Sequence, residues 1–100
     1  MLALSTAGSQ DEGARIGRAL VEQRFAACVN LVQIRSIYRW RGNLCDETEW
    51  LLLIKTQRRL LTKLSRALKQ LHSYEVPELI AVPIDQGSCA YLAWLHDCLR

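Results

Sequence analysis

The chain has 100 residues, of which half are hydrophobic and 23% are charged, and its net charge is +3. This length predicts a single domain over residues 1–100, and no apolar run approaches the ~20 residues that a membrane span needs. The basic residues are spread along the chain, whereas nucleic-acid-binding surfaces concentrate them. Composition therefore argues against a membrane span and against a nucleic-acid partner.

The first predicted elements are a short strand and a helix. The strand covers Leu2–Thr6, and a turn at Gly8 follows it. Ser9 and Glu12 have the spacing of a capping box, in which the hydroxyl and the carboxylate each bond to the other residue's backbone amide. They predict a helix that runs to about Arg24.

Residues 27–56 predict a long β-hairpin. Gly42 and Asn43 tolerate the positive φ of a tight turn, so we expect the chain to fold back there. The first arm, Cys28–Trp40, is rich in Val, Ile, Tyr and Trp. The second, Glu49–Thr56, is almost continuously apolar, which is typical of a strand buried on both faces.

The apolar positions of the first arm change faces between Leu31 and Val32. A β-bulge would let both side chains point inward. The alternative is that one strand ends near Leu31 and another begins after it. The sequence leaves both open.

The hairpin is too long for its own domain. At ~3.3 Å per residue, the first arm spans ~40 Å, whereas a compact chain of this size has a radius of gyration of ~13 Å. A projecting two-stranded ribbon is marginally stable in water. We therefore predict an obligate oligomer, with four apolar residues of the projecting part in the interface: Ile37, Tyr38, Trp40 and Leu44.

The second half of the chain predicts two more helices and one strand. Leucines at helical spacing indicate a helix over Arg58–Leu71. A connector with Pro77 leads to a strand over Glu78–Ile84, and Ser88 caps a helix through Leu99. The order is β-α-β-β-α-β plus a helix, which predicts an α+β, ferredoxin-like sandwich. Its two helices cover one sheet face, and the other face needs cover from another copy.

Four cysteines, Cys28, Cys45, Cys89 and Cys98, lack C-x-x-C spacing. They predict a reduced, intracellular protein. The start of the chain lacks the basic and long apolar regions of a signal peptide. We therefore expect a cytoplasmic location, and the sequence is also compatible with a leader segment removed upstream.

Catalytic motifs are missing: there is no nucleophile elbow, Walker loop, dinucleotide-binding glycine pattern or H-E-x-x-H. The RNA-recognition fold has the same element order, but it needs aromatic residues on its first and third strands, and Trp50 is the one aromatic residue there. An acylphosphatase-like enzyme needs a basic residue in the loop after the first strand, and residues 7–10 have none. We predict a protein that is not an enzyme.

Five motifs in register make the chain resemble the CutA divalent-cation-tolerance proteins: residues 26–30 (AACVN), 36–42 (SIYRWRG), 49–56 (EWLLLIKT), 72–78 (HSYEVPE) and 91–94 (YLAW). The resemblance implies a very stable homotrimer of ferredoxin-like subunits whose hairpins pair between neighbours. It implies a role in tolerance of divalent metal ions, copper among them, with no required cofactor. The alternative implied by animal relatives is a trimeric scaffold that anchors a protein partner.

The resemblance also implies two sites. Copper ligands proposed for bacterial members correspond here to Ser5, Leu71 and His72, and His72 is the predicted metal ligand because it alone has a metal-binding side chain. The second site is a cleft between subunits, either a pocket that responds to an anion or a metal ion, or a set of ion pairs and hydrogen bonds that locks the trimer. Its predicted residues are Cys28, Tyr38, Glu49, Lys55, Tyr74 and Glu75.

Overall fold

A computed structural model describes all residues, Met1–Arg100. A four-stranded antiparallel sheet carries two helices on one face, and a third helix follows at the end of the chain. The elements are β1 (Leu2–Ala7), α1 (Gln10–Glu22), β2 (Cys28–Trp40), β3 (Asn43–Lys55), a 3₁₀ turn (Arg58–Leu60), α2 (Leu61–Leu71), β4 (Ile80–Val82) and α3 (Cys89–Cys98). The strand order β2-β3-β1-β4 confirms the predicted α+β architecture with its long hairpin.

The core lies between the sheet and the helices α1 and α2. Side chains alternate along a strand, so β3 directs Leu52 and Ile54 towards the helices, where both are fully buried. They pack with Ile16 and Leu20 of α1 and with Leu64 of α2. Helix α1 packs closely against β2 at Gly17. A Cβ atom added to this residue would come within 3.1 Å of a methyl group of Val29.

Helix α1 begins as predicted: the Ser9 hydroxyl accepts a hydrogen bond from the Glu12 amide at 3.1 Å. The Glu12 carboxylate accepts from the amide of Gly8 at 3.4 Å and from that of Ser73, at the end of α2, at 2.9 Å. Glu12 thereby ties the start of α1 to the connector between α2 and β4.

The hairpin differs from its prediction in three respects. Pairing runs without interruption from Cys28 with Lys55 to Trp40 with Asn43, so both alternatives considered at Leu31, the bulge and the strand break, are wrong. Val32 instead points to the uncovered face. The turn residues are Arg41 and Gly42, both at positive φ, one residue earlier than predicted.

The third difference is the start of the second arm. Strand β3 begins at Asn43, six residues before the predicted Glu49. Apart from Leu44 and Cys45, the intervening residues are polar and give no strand-like apolar pattern, but they complete the ladder with β2. Cross-strand pairing, rather than burial, makes them a strand.

Strand β4 is shorter than predicted, and helix α3 begins at its predicted cap. Strand β4 covers Ile80–Val82 instead of Glu78–Ile84. Pro83, the next residue, has no backbone N–H group with which to extend the ladder. Helix α3 has the predicted Ser88 cap, and Leu95 packs on Leu60. Tyr91 and Leu92 are exposed in the single chain. None of the helices has the length and hydrophobicity that a membrane crossing requires.

Candidate functional site

A cleft of about 800 Å³ lies on the sheet face that the helices leave uncovered. The distal half of the hairpin, residues 35–48, forms one wall, and the connector between α2 and β4 forms the other. The lining residues are Thr6, Ser36, Ile37, Tyr38, Trp40, Arg41, Glu49, Tyr74, Glu75, Val76, Pro77 and Glu78.

Glu49 is the most buried charged side chain of the cleft. Strand β3 places it on the uncovered face, where only 6% of the residue is exposed. The Tyr74 hydroxyl donates a hydrogen bond of 2.8 Å to Glu49 Oε2, and this is the one hydrogen bond of that carboxylate within the chain. Burial, and then this bond to Glu49, raise the pKa of Tyr74, so the phenol stays protonated and keeps donating.

The negative charge of Glu49 also affects the carboxyl group of Glu78. Burial, followed by repulsion from Glu49, raises the pKa of Glu78. On the hairpin, the Tyr38 hydroxyl donates to Glu47 Oε2 at 3.0 Å, and this bond raises the pKa of Tyr38 to about 12. The cleft thus combines protonated phenols with negative charge.

An ion pair joins the two walls at the end of the hairpin. Arg41 Nη2 lies 2.6 Å from Glu75 Oε2. Both side chains are about 70% exposed, so water weakens the pair and it adds little stability. It does neutralise Arg41, which leaves Glu49 without a cationic partner.

His72 fixes the connector to the sheet. Its Nε2 lies 2.6 Å from the Thr6 carbonyl oxygen, and its Nδ1 accepts a hydrogen bond of 3.0 Å from the Tyr74 amide. This arrangement fits a neutral imidazole that donates from Nε2. A metal ion at His72 would have to displace one of these bonds, so metal binding there stays a prediction.

The other two residues implied as copper ligands do not complete a metal site with His72. Ser5 is fully buried on the helix side of the sheet, and Leu71 has no donor atom. Within the chain, no group of three His, Cys, Asp or Glu side chains is placed to hold a metal ion.

The residues predicted for the cleft fall into two groups. Tyr38, Glu49, Tyr74 and Glu75 come together in the cleft. Lys55 lies at the opposite end of the hairpin, with its Nζ 4.0 Å from Cys28 Sγ and hydrogen-bonded to Asn30 Oδ1. Tyr38 lies ten positions after Cys28 on β2, a distance of ~33 Å along a strand, so one chain cannot unite the two groups.

The four residues predicted for the trimer interface are exposed in the single chain: Ile37 by 63%, Tyr38 by 36%, Trp40 by 44% and Leu44 by 71%. Strand alternation gives Ile37 to one face of the hairpin and Tyr38 and Trp40 to the other. The interface itself stays a prediction. Sequence reasoning did not assign Glu78 or Arg41 to the cleft, although both lie within the motifs that carry the family resemblance.

Comparison with known proteins gives one family. The profile of the CutA1 divalent ion tolerance proteins matches residues 1–98. The divalent-cation tolerance protein CutA of Thermus thermophilus is 46% identical over 95 residues, which cover 94% of this chain and 92% of that protein. Mouse CutA is 45% identical over 96 residues, 95% of this chain, but the chain spans only 54% of the mouse protein's length.

Solved structures agree with the sequence matches. The divalent cation tolerance protein CutA1 of Thermus thermophilus superposes with a TM-score of 0.95 at 44% identity, and the match covers 99% of this chain and 97% of that one. The divalent cation tolerance protein CutA of Archaeoglobus fulgidus, described as periplasmic, gives a TM-score of 0.96 at 32% identity with the same coverage.

Proposed function

Because the chain belongs to the CutA1 divalent ion tolerance protein family, we propose that it acts as a non-enzymatic homotrimer in the tolerance of divalent metal ions such as copper. The observation that carries this proposal is whole-chain likeness to the Thermus divalent-cation tolerance protein, in sequence and in fold. No cofactor is required for the role, and a divalent ion binds weakly.

Two features of the single chain support the trimer. Strand β2 is an edge strand of thirteen residues, and unpaired strand edges of this length invite pairing with another chain. The uncovered sheet face also exposes Val32, Ile80 and Val82. A neighbouring copy would cover both the edge and these side chains.

Light scattering tests the assembly. The chain has a mass of 11.4 kDa, so the expected particle has three times that mass at micromolar concentration. The double variant Trp40→Ala, Leu44→Ala should shift the mass towards the monomer, and Val21→Ala, an exposed apolar residue of α1, should not. A wild type that stays monomeric would overturn the trimer.

Calorimetric titration with copper tests the metal ligand. We expect weak binding by the wild type and lower heats for His72→Gln, which can still donate to the Thr6 carbonyl but has no imidazole. His96→Gln is the matched control because His96 is largely exposed and pairs only with Asp97. Equal heats for all three proteins would remove His72 from the metal site.

A scaffold for a protein partner is the second candidate. It is favoured by a surface of α3 away from the cleft, where Tyr91, Leu92 and Trp94 are exposed and the rings of Tyr91 and Trp94 lie 5.4 Å apart. A stoichiometric partner that is retained in the presence of chelator and lost in Trp94→Ala would support this reading. Loss of the partner on chelation would favour the metal-linked role.

We also propose a cytoplasmic location. All four cysteines are free thiols, the state that a reducing compartment maintains. Fractionation of cells that produce the natural protein tests this, and recovery from an oxidising compartment would contradict it.

A further inference from the structure

Acidic residues are missing from one long segment of the chain. Residues 50–74 contain six lysines or arginines and no aspartate or glutamate, so the rest of the chain has a net charge of −3. Five of these cations belong to α2 and the helical turn before it: Arg58, Arg59, Lys63, Arg66 and Lys69. Positive charge is therefore concentrated on this helix.

The cations lie on the solvent side of α2. The apolar side of the helix, with Leu64 at its centre, is buried in the core. Arg59, Lys63 and Arg66 are exposed, and their spacings of four and three residues place them in line along the helix. Lys69, also exposed, follows three residues later. These four residues form a basic row that is ~15 Å long, at ~1.5 Å per residue.

No carboxylate of the chain neutralises the basic row. All four ion pairs of the chain lie outside residues 50–74. Arg59 has one side-chain partner, the neutral amide of Gln57, at 3.2 Å. On the hairpin, in contrast, Arg35 is paired with Asp46. The row thus keeps its full positive charge.

Folding does not account for the cations at the start of this helical segment. The N-terminal end of a helix is electropositive, so acidic residues stabilise it and basic residues do not. Helix α1 has Asp11 and Glu12 in its first turn, whereas Arg58 and Arg59 form the turn before α2. The two arginines therefore add to the positive field of the helix end.

The chemistry of the basic row discriminates among anionic partners. Single-stranded nucleic acids stack their bases on aromatic side chains, and the exposed side of α2 has none. Helices that bind membrane surfaces insert apolar residues, but those of α2 are used in the core. A second copy that met this row with its own α2 would bring like charges together. A flexible acidic polypeptide needs neither stacking nor insertion.

We propose that the basic row of α2 binds a flexible, acidic segment of another protein. In an extended segment, at ~3.3 Å per residue, about five residues span the row, so several carboxylates reach cations at once. The row lies on the helix side of the sheet, and assembly through the uncovered sheet face leaves it accessible. The interaction depends neither on metal binding nor on the aromatic surface of α3.

Fluorescence anisotropy with a labelled oligoglutamate peptide tests the charge requirement. The wild-type protein in its native assembly should bind this peptide and ignore a glycine–serine peptide of equal length. Because salt screens exposed charges, the affinity should fall about tenfold or more between about 50 and about 300 mM salt. Equal binding of the two peptides would overturn the proposal.

Two double variants locate the site. Lys63→Gln, Arg66→Gln should weaken oligoglutamate binding about fivefold or more, because it removes the two central contacts of the row. Arg15→Gln, Arg18→Gln is the matched control, since it removes the same charge from exposed positions of α1 and should leave the affinity within about twofold of wild type. Light scattering checks that both variants keep the wild-type mass.

Three further outcomes contradict the inference. An equal loss of affinity in both double variants would show that net charge, and not the row, attracts the peptide. A wild type that sediments with phosphatidylserine vesicles but ignores oligoglutamate would assign the row to a membrane surface. A lower mass in Lys63→Gln, Arg66→Gln alone would assign the row to a contact between copies of this chain.

Discussion

The body of the molecule and the distal half of its hairpin, residues 35–48, have the same backbone ladder but different surroundings. In the body, Leu52 and Ile54 are fully buried beneath α1 and α2, whereas Ile37 and Leu44 of the distal half are 63% and 71% exposed. The ladder continues through both regions without a change of register. Pairing therefore suffices to define the strands, but burial stabilises only the body within one chain.

The largest expected effect contrasts a leucine of each region. Leu64→Ala removes a fully buried side chain of α2 and should lower the free energy of unfolding by about 2–5 kcal/mol. Leu44→Ala should leave that free energy almost unchanged at low protein concentration and weaken assembly at high concentration. Denaturant unfolding at several concentrations measures both, and an equal loss at all concentrations for Leu44→Ala would break the contrast.

The second prediction concerns polar groups inside the body. Ser5 is fully buried and its hydroxyl has no hydrogen-bond partner, so Ser5→Ala should stabilise the fold by about 1 kcal/mol. Thr56 is equally buried, but its hydroxyl donates to the Phe25 carbonyl oxygen at 2.7 Å. Thr56→Val should therefore destabilise by about 1 kcal/mol. A loss of stability in Ser5→Ala, read from the denaturant midpoint, would mean that this hydroxyl has a partner.

The third prediction is that stability depends on pH through Glu12, which joins the body to the connector between α2 and β4. Burial opposes ionisation of Glu12, but hydrogen bonds from Ser73 and Gly8 prevail and lower its pKa below the ordinary value of 4.5. A lowered carboxyl pKa stabilises the fold above the unfolded-state pKa, and the contribution disappears as the pH falls through the folded-state pKa. Glu12→Gln should thus be less stable than wild type near pH 7 and approach it below pH 4. Unfolding midpoints between pH 3 and 7 measure this.

Glu22→Gln serves as the control for the pH series, because Glu22 is exposed at the end of α1. Its profile should run parallel to that of the wild type. A difference between Glu12→Gln and wild type that does not change with pH would assign the effect to shape rather than to charge.

The smallest effect is expected for an ion pair of the distal half. Arg35 donates to both carboxylate oxygens of Asp46, at 2.8 and 2.7 Å, and thereby lowers the pKa of Asp46. Both side chains are open to water, so salt should screen the pair. Arg35→Met should reduce the unfolding midpoint slightly at low ionic strength and not at all in 1 M salt. A loss that persists in salt would indicate that another copy shields this part of the hairpin.

The same division explains which predictions from sequence were accurate. The leucine spacing of α2 and the Ser9 and Ser88 caps are local signals, and the structure confirms them. The start of β3 was misplaced because residues 43–48 are mostly polar and become a strand only through pairing with β2. Of the residues predicted for a cleft between subunits, Tyr38, Glu49, Tyr74 and Glu75 lie together within one chain, but Cys28 and Lys55 lie at the other end of the hairpin. The cleft between subunits stays a prediction.

The sequence by itself determined the element types, their order and the excessive length of the hairpin, because periodicity, caps and strand rise are properties of short segments. Only the tertiary structure decided the uninterrupted register, the burial of Glu49 and the engagement of both His72 nitrogens. These features depend on which distant segments come into contact. The charge and hydrogen bonding of a side chain follow from those contacts and cannot be read from its neighbours along the chain.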